Sequence, residues 1–237
     1  MSPGPTEPVK TFASRFADEL RFGLDFARKH GGTMVLLFVC VLLPLWGFTE
    51  IAEDVHRQER FLFDDPVLLW AHARHAPRLD AFFIAMSAFG YAWGVVPIDL
   101  ILVGYFAWTR RLRDGLFFGL SVAGSALLNL GVKQLFARQR PSLWESIAPE
   151  STFSFPSGHA MGSMTLALAV VLLCWPTRWR WLVVSVSFAL VLLIAASRLY
   201  LGVHYPSDIL AGWASACAWV FGVYVLVYRV RPSKRGS

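Results

Sequence analysis

The sequence predicts an all-α membrane protein: a polytopic bundle of six transmembrane helices behind an N-terminal amphipathic helix at the membrane surface. Three observations predict it. Hydrophobic residues make up 56% of the 237 positions, and the mean hydropathy is +0.51. Charged residues are only 16%, against about 25% in a soluble domain. Apolar runs of about 20 residues recur, the length that crosses ~30 Å of hydrocarbon. A helix satisfies its own backbone polar groups, so helices rather than loops fill such a core.

The elements follow in order. Residues 2–8 are Pro-rich. Over 9–30, Phe12, Phe16, Leu20 and Leu24 share one helical face, while Lys10, Arg15, Arg21 and Arg28 mark the polar sides. Such a helix rests in the headgroup layer; a solvated amphipathic lead-in fits equally well. The six spans fall near 33–52, 80–108, 115–135, 157–175, 180–197 and 206–228. The second exceeds a straight crossing and contains Gly90, Gly94 and Pro97, which predicts a kink or a tilt. Splitting it would leave two helices too short to span. A short helix over 65–76 precedes it. The division is therefore a cytoplasmic tail with the amphipathic helix (1–32), a six-span domain (33–228) and a basic cytoplasmic tail (229–237). The polar, basic first 30 residues do not read as a cleavable signal peptide.

Orientation follows from charge. Lys and Arg are split 14 to 8 in favour of the side that carries both termini. The basic side is expected to be cytoplasmic. The net charge of +6 is then a topology signal and an attraction to anionic lipid. No stripe of aromatics with interleaved cations suggests nucleic-acid binding. Trp46, Trp70, Trp93, Trp108, Trp175, Trp179 and Trp181 suit interfacial anchoring. Cys40, Cys174 and Cys217 all lie in apolar runs, without metal or disulfide spacing. No carboxylate cluster for Mg²⁺ and no zinc pattern is visible, so neither metal nor cofactor is expected.

Three segments at the ends of apolar runs carry the chemistry: Lys133-x6-Arg140-Pro141, Pro156-Ser157-Gly158-His159, and Ser197-Arg198-x5-His204-x3-Asp208. Polar groups at such depths are costly unless they pair or bind something. Lys133, Arg140 and Arg198 can hold phosphoryl oxygens, the arginines bidentately. Ser157 suits an N-cap, and Gly158 lets an anion approach the helix N-terminus. His159 in that first turn can protonate a leaving oxygen. Asp208, four residues after His204, can reach back and fix its tautomer. Capping by Ser157 and Asp208 explains each of those residues singly. Headgroup contact is the reading for Arg74 and Arg138, and interhelical hydrogen bonding for Asp99 and Asn129.

Taken together, the eleven specified residues resemble the signature of the type 2 phosphatidic acid phosphatase superfamily, KxxxxxxRP, PSGH and SRxxxxxHxxxD. The resemblance covers about residues 65–228 and departs at no signature position. It implies a six-span helical bundle and metal-independent hydrolysis of a lipid phosphate monoester or diphosphate. It also implies that His204 forms a phosphohistidine, Asp208 orients it and His159 is the general acid. Lys133, Arg140, Arg198, Ser157 and Gly158 would bind phosphate. The implied partners are the bilayer and a lipid phosphate, with undecaprenyl diphosphate ahead of phosphatidylglycerol phosphate and phosphatidic acid. The compact chain, its short loops and the lack of an N-x-S/T site suggest a bacterial inner membrane, and the charge split puts the site on the outside. A phosphotransferase using the same intermediate, or a non-catalytic lipid-binding protein, are the alternatives; the oligomeric state is open.

Overall fold

A computed structural model describes residue 28 and residues 31–59 and 61–229. The amphipathic helix expected over 9–30 lies almost entirely outside them. Seven helices are described: α1 (Gly31–His56), α2 (Asp64–His72), α3 (Pro77–Trp108), α4 (Leu112–Phe136), α5 (Gly158–Cys174), α6 (Arg180–Tyr200) and α7 (Pro206–Arg229). Five of them, α1, α3, α4, α6 and α7, are long and apolar enough to cross a membrane. Helix α5 has 17 residues and rises about 26 Å, slightly short of a full crossing.

Helix α5 is the hub, packed against α4, α6 and α7. Its small residues allow this: Ala160, Ser163, Thr165 and Ala169 are all buried. At one end Phe106, Phe117, Phe118, Ala169, Val220 and Val223 form the largest apolar cluster. Most other large apolar side chains face outward, such as Leu100, Leu127, Leu135 and Phe188. This outward apolar belt suits lipid rather than water. All seven tryptophans singled out as interfacial anchors are exposed.

The expected interruption of the second span is present. Helix α3 carries one π-helical turn at Phe89–Trp93 and is bent out of helical geometry at Gly94, with φ −132° and ψ −75°. A Cβ on Gly94 would lie 2.3 Å from the Phe89 carbonyl oxygen, so only glycine fits this turn. The short helix comes slightly earlier than expected, at Asp64–His72 rather than 65–76.

Chain direction gathers the connectors. The C-terminal ends of α1, α4 and α6 and the N-terminal ends of α3, α5 and α7 lie at one end of the bundle. Segments 57–76, 137–157 and 201–205 therefore meet there, and every signature residue sits on or beside them.

Candidate active site

Each segment is held by its local structure. Helix α4 ends where Ala137 turns left-handed (φ 44°) and its amide returns to the Lys133 carbonyl at 3.0 Å. The turn sends Arg138 and Arg140 back over the bundle beside Lys133. Helix α6 ends at Gly202, whose φ of +66° is a conformation glycine adopts freely. The missing side chain leaves a notch filled by Trp144, since a Cβ there would lie 2.5 Å from its ring. The notch pins the 137–157 connector to the end of α6, as does the Ser146 hydroxyl, which donates to the Leu201 carbonyl at 2.6 Å.

Helix α7 starts with Pro206 at its first turn, where a missing N–H costs nothing. The Asp208 carboxylate accepts the Tyr205 amide at 2.9 Å and so caps the helix. The same oxygen lies 3.4 Å from His204 Nδ1 and accepts the Ser154 hydroxyl. Capping and orientation thus combine in one side chain. Both His204 and Asp208 are fully buried. With a carboxylate facing Nδ1, that nitrogen carries the proton and Nε2 keeps its lone pair. Arg140 Nη1 lies 3.2 Å from Nε2, so the lone pair points at the Arg140 guanidinium. Burial first, then the Arg198, Arg140 and Lys133 charges, hold His204 well below the usual histidine range. Its imidazole is neutral at neutral pH.

The cations converge. Arg140 is fixed by the carbonyls of Thr152 (2.7 Å) and Val203 (2.6 Å). Lys133 donates to the Phe153 carbonyl. Arg198, buried to 1% exposure, donates to the Ser87 hydroxyl, and its Nε has no partner among the described residues. Lys133, Gly158, His159 and His204 line one cavity of about 410 Å³. The sequence thus brings seven of its eight candidates together around this cavity or directly behind it. Ser157 is the eighth. It is fully buried, its hydroxyl accepts the Ala160 amide at 3.4 Å, and its own amide donates to the Asp208 carbonyl. Its role in the geometry is to start α5.

Four participants were missed or misread. Arg138 is not a headgroup contact: its guanidinium donates to Asp208 Oδ1 at 2.6 Å and to Asp64 Oδ2 at 3.0 Å, and stacks 4.2 Å over the Tyr205 ring. Asp64 also receives the Ser207 amide and hydroxyl at 2.9 and 2.6 Å. The Ser154 hydroxyl donates to Asp208 Oδ2 and lies 3.4 Å from His204 Nδ1. Glu150 lies between Arg140 and Arg198. Two signals for them existed: a second arginine two residues before Arg140, and an acid in the segment linking two cationic motifs. Arg74 does stay at the surface, 3.6 Å over the Trp70 ring. Asn129 bonds the Pro156 carbonyl at 3.3 Å, as a structural reading expects. Asp99 Oδ1 is buried without a partner among the described residues.

Such a neutral, carboxylate-backed imidazole facing three cations is equipped to attack a bound phosphate. Residues 114–232 match the PAP2 superfamily. The chain belongs to that superfamily and is a multi-pass membrane lipid phosphatase. It is 27% identical to phosphatidylglycerophosphatase B of Bacillus subtilis over 172 residues, covering 70% of this chain and 84% of that protein. It is 28% identical to undecaprenyl-diphosphatase of Sulfolobus acidocaldarius over 162 residues, covering 66% and 74%. Its fold is similar to the crystal structure of a transmembrane PAP2-type phosphatidylglycerolphosphate phosphatase from Bacillus subtilis, with a TM-score of 0.69 and 25% identity over 81% of this chain and 98% of that one.

Proposed function

We propose that the enzyme hydrolyses a lipid phosphate through a phosphohistidine on His204, without a metal ion. One observation carries this reading: His204 has a carboxylate at Nδ1 and a guanidinium at Nε2, so its lone pair is aimed where a phosphorus atom would be clamped. Lys133, Arg140 and Arg198 hold the phosphoryl oxygens and stabilise the charge that spreads over them in transfer. Gly158 and the α5 N-terminus, opened by Ser157, offer backbone N–H groups to the same anion. His204 Nε2 attacks phosphorus, and the bond from phosphorus to the lipid oxygen breaks. His159 gives that oxygen its proton. Asp208 stabilises the imidazolium meanwhile. Water, deprotonated by His159, then releases phosphate and regenerates His204.

The substrate is a lipid, because the catalytic cavity shares Tyr91, Asn129, Leu130 and Gly158 with a mainly apolar cavity of about 310 Å³ between α3, α4 and α5. Three cations suit a highly charged headgroup, and undecaprenyl diphosphate is the first candidate. Phosphatidylglycerol phosphate and phosphatidic acid follow. The six helices α1 and α3–α7 all cross the membrane, both tails are cytoplasmic, and the site faces the outside of a bacterial inner membrane, in keeping with the charge asymmetry. The test is phosphate release by purified protein in detergent with EDTA, on the three lipids side by side. Release that survives chelation and vanishes in His204→Ala is expected. Loss of activity on chelation, or a fully active mutant, contradicts the mechanism.

A further inference from the structure

The cation cluster holds a carboxylate. Glu150 Oε1 accepts from Arg198 Nη2, and Glu150 Oε2 lies 2.7 Å from Arg140 Nη2. His159 Nδ1 stands 3.9 Å from Oε1. Glu150 lines the catalytic cavity with Lys133, His159 and His204. Its two oxygens each take one arginine, as two oxygens of a phosphoryl group would. A phosphate engaging both arginines must therefore move Glu150 aside.

The geometry points to a displaceable internal anion: we propose that Glu150 occupies the phosphate site until a lipid-borne phosphate displaces it, and thereby selects against free phosphate. The proposal rests on the assignment of Arg140 and Arg198 to phosphate binding.

Three features favour displacement over a permanent ion pair. Glu150 stands on the irregular 137–157 connector, not on a helix. Its side chain keeps 28% of its surface exposed, while Arg198 keeps 1%. The arginines do not depend on it for their placement. Arg140 is held by Thr152 and Val203, and Arg198 by Ser87. Burial pushes the Glu150 carboxyl up, but the Arg198 and Arg140 charges outweigh it and hold it down to about 2, so the competing charge is present at all physiological pH values. A phosphate on a lipid brings the burial of its tail as additional binding free energy. Inorganic phosphate brings none and must compete with Glu150 on headgroup contacts alone. The carboxylate thus also helps to expel the product.

The test compares wild type, Glu150→Gln and Glu150→Asp by steady-state kinetics, with inorganic phosphate and orthovanadate as competitive inhibitors. If the site is free of Glu150 about a tenth of the time, removing the charge tightens phosphate binding about tenfold. The inhibition constants for both anions should fall by that factor in Glu150→Gln. The shorter aspartate cannot bridge both arginines, so Glu150→Asp should fall in between, and it keeps the charge should the glutamine variant not fold. Unchanged or raised inhibition constants in a variant that hydrolyses lipid overturn the proposal. If wild type and Glu150→Gln both release phosphate from lipid but neither is inhibited by either anion, the assignment of the arginines fails, and this proposal fails with it.

Discussion

Asp208 and Glu150 both meet arginine at the same end of the bundle, but on different supports. Asp208 sits in the first turn of α7 with no exposed side-chain surface. Its oxygens are shared among Arg138, Ser154, the Tyr205 amide and His204. Behind it Asp64 holds the other side of Arg138. Glu150 stands on a connector, more than a quarter exposed, and among the described residues its ion pairs go to the Arg140, Arg198 and His159 side chains. Removing the partner of a fully buried carboxylate such as Asp208 leaves a charge with neither partner nor water and is very costly, whereas a more exposed pair is weaker and easier to exchange. Similar chemical groups therefore serve different ends: one carboxylate fixes an imidazole, and the other can yield its place.

The largest effect expected concerns the fixed carboxylate and its histidine. His204→Ala should lower kcat by at least about a thousandfold, as loss of a nucleophile does. Asp208→Asn should keep the fold, because Arg138 retains Asp64, but should lower kcat by about 10²–10⁴ with little change in KM. An Asp208→Asn enzyme with full kcat would erase the distinction between the two carboxylates.

The next effect is on stability. Arg138→Ala leaves Asp64 and Asp208 as two buried carboxylates without a shared cation. We expect about 3–5 kcal/mol of destabilisation in detergent unfolding. Adding Asp64→Asn should recover part of that loss, and the double-mutant cycle measures the coupling. Purely additive losses would mean that Arg138 does not act through the network.

The smallest effect is on pH dependence. Catalysis needs neutral His204, and burial plus three cations keep its proton affinity below the ordinary value. The acidic limb of kcat/KM should therefore lie below about pH 6.5, the free-histidine value. A limb above that value would show that Asp208 outweighs the cations.

Much of this was legible in the sequence, for identifiable reasons. The apolar helices were legible because the bilayer demands long apolar runs: all six expected segments are helices with nearly the expected ends, five of them long and apolar enough to cross a membrane. The kink was legible because Gly94 and its neighbours break helical geometry. The signature residues were legible because their spacings match helix ends and turns. Arg138, Asp64, Ser154 and Glu150 were not, because their roles depend on how three connectors fold over one another. Arg138 reads as a surface cation until the left-handed turn at Ala137 swings it onto Asp208. Glu150 reads as one acid among several until Trp144 seats in the Gly202 notch and draws its connector over the cations.

The most direct test of the central claim is to trap the phosphoenzyme. Protein mixed with substrate and quenched in alkali, where phosphohistidine survives, should carry phosphate on the peptide containing His204 when analysed by mass spectrometry. The amount should drop in Asp208→Asn. Phosphate found on the His159 peptide, or none on any histidine while turnover proceeds, would contradict the account.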